Sequence, residues 1–235
     1  MQAESLIPSD APPRLYQKIA NLLREKITQG EWQAGDTLPS ERDLAKWLNV
    51  SRTSVREAII ALEVSGWLEV KVGKGVYVCQ QKENQNIDLN GISPFSLLQA
   101  RLLIEPETAA LAAENMTEKS LFLIKQAYLM NVSDNIMGST THDGDRLFHI
   151  RIAESCGNDV YPLILKKLLN EQSSKLFSAL RRLYTPSDMP LRSQQEHYAI
   201  LMALEQRDVN AARENMRVHL QNVIDIFMRG KEQNL

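Results

Sequence analysis

Residues 38–78 read LPSERDLAKWLNVSRTSVREAIIALEVSGWLEVKVGKGVYV, and their punctuation decides the fold of the first third of the chain. Ser40 has a hydroxyl suited to cap a helix, with Asp43 three residues on as a short capping-box partner. Leu44 and Leu48 then share one helical face. Asn49 marks a turn, and Ser51 can cap a second helix whose apolar stripe is Val55, Ile59 and Leu62. Beyond Gly66, apolar residues alternate at Leu68, Val70 and Val72 and again at Val76 and Val78, on either side of Gly73-Lys74-Gly75, which is the pattern of a hairpin. Working outward to the N-terminal side, Tyr16, Ile19, Leu23 and Ile27 have the 3, 4, 4 spacing of an amphipathic helix that Gly30 ends. Three short helices followed by a β-hairpin predict a winged helix-turn-helix.

In the helix that starts at Ser51, the inward stripe leaves Arg52, Thr53 and Arg56 on the opposite face, near the helix N-terminus. A recognition helix places these turns in the major groove, where Arg grips a guanine edge with two hydrogen bonds and short hydroxyls reach bases or phosphates. Arg42 on the preceding helix and Lys71 and Lys74 on the hairpin would flank that face and approach the DNA backbone or minor groove. The competing reading is a helix with two solvated arginines. Bulk charge does not separate the two, because residues 1–79 hold ten Lys/Arg and ten Asp/Glu. The order of helices and wing favours DNA.

The segments LPSER, VSRTSVREA and GKGVYV, all in register, resemble the DNA-binding domain of GntR-superfamily transcription regulators over Arg14 to Val78. The resemblance implies a homodimer bound to double-stranded DNA at a short inverted repeat. It also implies DNA contacts at Arg42, Ser51, Arg52, Thr53, Ser54, Arg56 and the wing glycine Gly73. Val72 departs from the pattern, standing where some members carry a polar or basic residue, so Lys71 or Lys74 is expected to take over that contact.

The whole chain has 235 residues, a formal net charge of -2, 43% hydrophobic and 24% charged residues, which suits two ordinary globular domains. Its apolar runs fall short of the ~18 residues of a membrane span, and MQAESLIPSDAPPRLYQ lacks the basic-then-apolar order of a secretory signal, so a cytoplasmic protein is expected. Cys79 and Cys156 have no CxxC partner and read as reduced thiols without a role. The amide-rich stretch QQKENQNIDLNG reads as a linker, giving a DNA-binding domain over 1–79, a linker over 80–92 and a helical domain over 93–235. In the last of these, apolar positions recur at 3 and 4 spacing through about six segments, one of them VYPLILKKLLNEQSSKLFSALRRL, with Pro106 expected to kink or start a helix. The fold class is therefore mainly α: an N-terminal winged helix-turn-helix plus a C-terminal all-helical antiparallel bundle.

That bundle holds all four histidines of the chain. Asp145 and His149 lie four apart in DRLFH and project from one face, His197 opens a later helix and His219 sits late in the last. If those helices meet at the bundle axis, the four form an Asp/His₃ site suited to a divalent metal. The alternative is a set of hydrogen-bonded structural histidines. The segments DRLFHIRIAESCGN, EHYAIL and AARENMRVHL resemble the metal-bearing helices of the FCD ligand domain in the FadR-like branch of the GntR superfamily, over Pro94 to Met228. The resemblance implies metal ligands Asp145, His149, His197 and His219, an ion that is zinc, nickel or manganese-like, and a small organic acid as effector; His142 falls outside the pattern as a loop residue.

Arg101 sits in an otherwise apolar helix and is the first candidate to bind the acid's carboxylate, with Arg181 and Arg182 behind it. Glu105, four residues on, is an equal claimant for Arg101 as a structural salt bridge. PFSLLQAR with the following LIE is similar to hexuronate-utilisation regulators, which implies a sugar acid; lactate and pyruvate regulators share the architecture. The sequence thus reads as a ligand-responsive repressor. A metal-dependent enzyme fused to a DNA anchor is the rival, and the absence of HExxH, a nucleophile elbow or a Gly-rich phosphate loop speaks against it.

Overall fold

The computed structural model describes residues 14–71, 73–80, 92–139, 141–172 and 174–229. Val72 and most of the expected linker lie outside the described residues. Three helices come first, α1 (Leu15–Thr28), α2 (Glu41–Leu48) and α3 (Arg52–Val64), followed by the antiparallel strands β1 (Leu68–Lys71) and β2 (Gly75–Val78). Their order is the one the turn residues predict. Ser40 accepts the Asp43 N–H at 3.2 Å and donates to its carboxylate at 2.6 Å, so α2 starts where its cap dictates. Asn49 ends α2 in the left-handed conformation (φ 52°), a geometry Asn tolerates, and so turns the chain into α3. Ser51 caps α3 by accepting the Ser54 N–H at 3.1 Å. The strands pair Leu68 with Val78 and Lys71 with Gly75, and Gly73 supplies the positive φ of the tip. Ile19, Leu23, Leu44, Val55, Ile59 and Leu62 close the core under these elements.

Seven helices follow among the described residues: α4 (Pro94–Glu114), α5 (Glu118–Met137), α6 (Asp143–Glu154), α7 (Val160–Glu171), α8 (Lys175–Tyr184), α9 (Met189–Glu205) and α10 (Val209–Arg229). One expectation is narrowed and one is corrected. Pro106 does not start α4 but lies inside it, and the helix runs through it from Pro94 to Glu114, with Leu97 and Leu98 before it and Ala109, Ala112 and Ala113 after it all buried. The segment expected as one element from Val160 to Leu183 is two helices, since Ser174 caps a new one by accepting the Phe177 N–H.

The chain forms two compact units, the first from Met1–Phe95, Ser173–Thr185 and Ile226–Leu235 and the second from Ser96–Gln172 and Pro186–Asp225. In the first, α8 packs against α3. Tyr184 there donates its hydroxyl to the Glu63 carboxylate, whose other oxygen accepts the Val70 N–H of β1 at 3.2 Å. Burial, and then the Glu63 charge, push the Tyr184 phenol above its ordinary range. In the second, Ile124, Phe148, Ile152, Ile200, Leu204 and Met216 form the core of the bundle.

Candidate DNA interface and metal centre

The first unit presents its cations as the spacing predicts, with one exception. Ser51 and Arg52 are exposed at the start of α3, Thr53 and Ser54 are half-buried beside them, and Arg52 makes no hydrogen bond or ion pair with the described residues. Arg42 is exposed on α2, with Asp43 at 3.8 Å. Lys71, Gly73 and Lys74 are exposed on the wing, where the Lys71 ammonium lies 4.7 Å from the Tyr77 ring centroid and 3.4 Å from Glu69. Arg56 is the exception: it is half-buried and reaches back to Glu41 of α2 at 3.4 Å. Backbone N–H groups at the start of α3 and the free Arg52 guanidinium suit an anionic, groove-shaped ligand.

The second unit brings Asp145 and three histidines together from three helices. His149 and Asp145 come from α6, His197 from α9 and His219 from α10. The histidines are all buried, and each offers a nitrogen within 4.8 Å of the others'. His197 Nε2 lies 3.2 Å from His219 Nε2, and Asp145 Oδ1 lies 3.6 Å from His197 Nε2 and 4.0 Å from His149 Nε2.

The opposite ring nitrogens are held from behind. His149 Nδ1 meets Glu105 Oε2 at 2.5 Å, His219 Nδ1 meets Glu196 Oε2 at 2.7 Å, and His197 Nδ1 meets Asn131 Oδ1 at 3.2 Å. Acceptors at all three positions require Nδ1–H, which leaves each Nε2 as a bare lone pair facing the others. Two such lone pairs 3.2 Å apart repel, and the buried His149 Nε2 has no hydrogen-bond partner. A divalent cation satisfies all of these atoms at once, so the donor set fits one; three imidazoles and a carboxylate suit zinc, nickel or manganese-like ions. Burial, reinforced by the His219 ring, lowers the His197 pKa well below its ordinary value and keeps it in the neutral form that a metal requires.

Arg101 stands next to this centre. It is buried, and its Nε donates to Glu105 Oε1, so the expected salt bridge exists. Its Nη2 is buried without a partner among the described residues, which leaves the two N–H groups of that nitrogen available to an acid. Burial alone would raise the Glu105 carboxyl, but Arg101 and His149 outweigh it and bring it down to about 2. Arg181 and Arg182 belong to α8 in the other unit, where Arg181 lies 5.8 Å from the Phe177 ring centroid and Arg182 is exposed. His142 is the N-cap of α6, outside the cluster. Sequence spacing missed Asn131, Glu196 and the second role of Glu105. Their partners lie 66, 23 and 44 residues away, and no periodicity links positions so far apart.

Known proteins agree with both halves. Residues 15–78 match the model of bacterial regulatory proteins of the gntR family, and residues 96–222 match the FCD domain. The chain is 36% identical over 216 residues to the Uxu operon regulator of Haemophilus influenzae, covering 89% of this chain and 80% of that protein. It is 36% identical over 220 residues to the Exu regulon transcriptional regulator of Escherichia coli K12, covering 90% and 83%. Among solved structures, E. coli McbR/YncC shares the fold, with a TM-score of 0.51 at 20% identity over 93% of this chain and 99% of that one. Two domain matches in the expected order, with relatives that span nearly the whole chain and are regulators rather than enzymes, place the protein in the gntR family of bacterial transcription regulators, in the branch that carries an FCD domain.

Proposed function

We propose that the protein is a cytoplasmic repressor that binds an inverted-repeat operator as a homodimer and releases it when a small organic acid enters the helical domain. The working division is a reading head over 1–79, a linker over 80–92 and an acid-sensing, metal-binding and dimerising domain over 93–235. One observation carries this reading: among the described residues two buried polar atoms, Arg101 Nη2 and His149 Nε2, make no hydrogen bond, and both side chains are clamped by the same carboxylate, Glu105. Asp145, His149, His197 and His219 hold the metal, which when bound supplies a Lewis-acid anchor for a carboxylate oxygen. Arg101 supplies the complementary charge-assisted hydrogen bond. Arg181, half-buried, and Arg182, exposed, stand behind Arg101 here, because a buried guanidinium with an unpartnered nitrogen binds an acid more strongly than one more open to water.

The acid we propose is a hexuronate or a ketoacid derived from one, in keeping with the similarity to the Uxu and Exu regulators. Arg52 reads a base, Arg42, Ser51, Thr53 and Ser54 position the helix on phosphates and bases, and Lys71, Gly73 and Lys74 bring the wing to the backbone. Arg56 contributes by fixing α3 against Glu41 as well as by its charge. For the second copy, the exposed stripe Phe122, Leu129 and Ile136, at seven-residue intervals along α5, is an apolar face in keeping with helix pairing.

The test is to incubate metal-loaded protein with sheared genomic DNA from its source and sequence what it retains. Enrichment of one inverted repeat supports the reading. Retention without sequence preference removes the base-reading role of Arg52.

A further inference from the structure

The Arg101–Glu105 pair sits in the wall of the histidine cluster, and its geometry is not that of an isolated salt bridge. Glu105 is 1% exposed, and its two oxygens are divided: Oε1 accepts from Arg101 Nε, while Oε2 accepts from His149 Nδ1 at 2.5 Å. A buried carboxylate with one partner can rotate about its last bond; with a rigid partner on each oxygen it cannot. The plane of Glu105 is therefore set by Arg101, and the ring of His149 is set by Glu105. Arg101 lies one helical turn before Glu105 on α4, so the guanidinium that clamps the carboxylate belongs to the same rigid element. His149 comes from α6, and among the described residues Glu105 is its one side-chain hydrogen-bond partner: its Nε2 makes no hydrogen bond, and Asp145 Oδ1 lies 4.0 Å from it.

We propose that Arg101 and Glu105 are positioning residues for the metal site: Arg101 fixes Glu105, and Glu105 holds His149 as the Nδ1–H tautomer with its Nε2 turned toward the other ligands. This rests on the reading of Asp145, His149, His197 and His219 as metal ligands. Arg101 then serves the metal even when no acid is present. Simple electrostatics argues the other way, because removing a cation beside a metal site should strengthen metal binding. The two accounts differ in sign.

The experiment uses full-length, metal-stripped protein with cobalt chloride alone, followed through its visible absorption, and zinc chloride alone, in competition with a chromophoric chelator. Glu105→Gln is isosteric but has only one acceptor atom for the two donors, Arg101 Nε and His149 Nδ1, and it should weaken metal binding by about 10–100-fold and alter the cobalt spectrum. Arg101→Met should weaken it in the same direction, Arg101→Lys should recover part of the loss, and the double variant Arg101→Met/Glu105→Gln should bind no worse than Glu105→Gln, since both act along one path. Unchanged or tighter binding in Arg101→Met overturns the proposal, as does unchanged binding in Glu105→Gln. His149→Ala is the control for the site itself: if it retains the metal at full affinity, the metal reading fails, and the positioning proposal fails with it. If Arg101→Met does not fold, Arg101→Lys decides, with the expectation of an intermediate affinity and a perturbed cobalt spectrum.

Discussion

At the scale of single residues, the two units use their charges in opposite ways. Among the described residues Arg52 is exposed and unpaired at the start of α3, so its guanidinium can be given to a base, whereas Arg101 is buried with Nε on Glu105 and Nη2 without a partner. Arg52→Ala should relax base preference at one operator position by about 1–3 kcal/mol, while Lys74→Ala should weaken binding evenly across sequences, as read by anisotropy on a panel of single-base operator variants. An unchanged preference in Arg52→Ala would remove it from the base-reading set. The buried histidines make a pH prediction. The His197 pKa is depressed in the folded protein, so below the ordinary value of 6.5 the unfolded chain binds a proton that the folded one refuses. Stability of the metal-free protein should therefore hold above about pH 6.5 and fall below it, by up to about 1.4 kcal/mol per pH unit for this one group. Glu105, held at about 2, stays ionised through that window and contributes no loss until the pH drops below its ordinary 4.5. Urea melts of metal-stripped protein at pH 7.5 and 5.5 check this; an equal or higher midpoint at pH 5.5 would contradict it.

Elements set these residues by close approach. Gly144 opens α6 where it crosses α5, its N–H donates to Asp134 at 2.8 Å, and a Cβ placed on it would lie 2.2 Å from the Asn131 backbone nitrogen. Only glycine lets Asp145 enter the site beside Asn131, which holds His197. Gly144→Ala should force the two helices apart at a cost of about 1–3 kcal/mol and weaken metal binding together with thermal stability; a variant with wild-type melting temperature and metal affinity would show that the approach is dispensable. The winged helix-turn-helix was legible in the sequence because each of its boundaries is local: Ser40, Asn49, Ser51 and Gly73 act within four residues of themselves. Asp145 and His149 were legible for the same reason, being one turn apart. For Pro106 the sequence left two outcomes open, and the choice of a helix that runs through it goes with buried residues on both flanks, a tertiary fact. Not legible were the break before α8, where a serine cap interrupts an unbroken apolar period, and the packing of that helix on α3 through Tyr184 and Glu63.

For the whole molecule, the proposed function requires that acid binding and operator binding be linked. Linkage is reciprocal, so an acid that lowers operator affinity must itself bind more weakly to the operator-bound protein, by the same factor. A coupling of about 1–3 kcal/mol would appear as a roughly 5–150-fold change in operator affinity. Half-site spacing is a geometric property of a dimer, so in the proposed mechanism a repacking around Arg101 and His149 changes the placing of the two recognition helices. Among the described residues no helix is long and apolar enough to cross a membrane. The most direct measurement is the affinity of metal-loaded, full-length protein for a retained inverted-repeat fragment, by fluorescence anisotropy, across titrations of galacturonate, glucuronate, their ketoacid products, lactate and pyruvate, with Arg101→Met in parallel. The account predicts that a hexuronate or its ketoacid lowers operator affinity at least fivefold in the wild type and much less in Arg101→Met. Operator affinity indifferent to every acid, or an equal response in Arg101→Met, would contradict it.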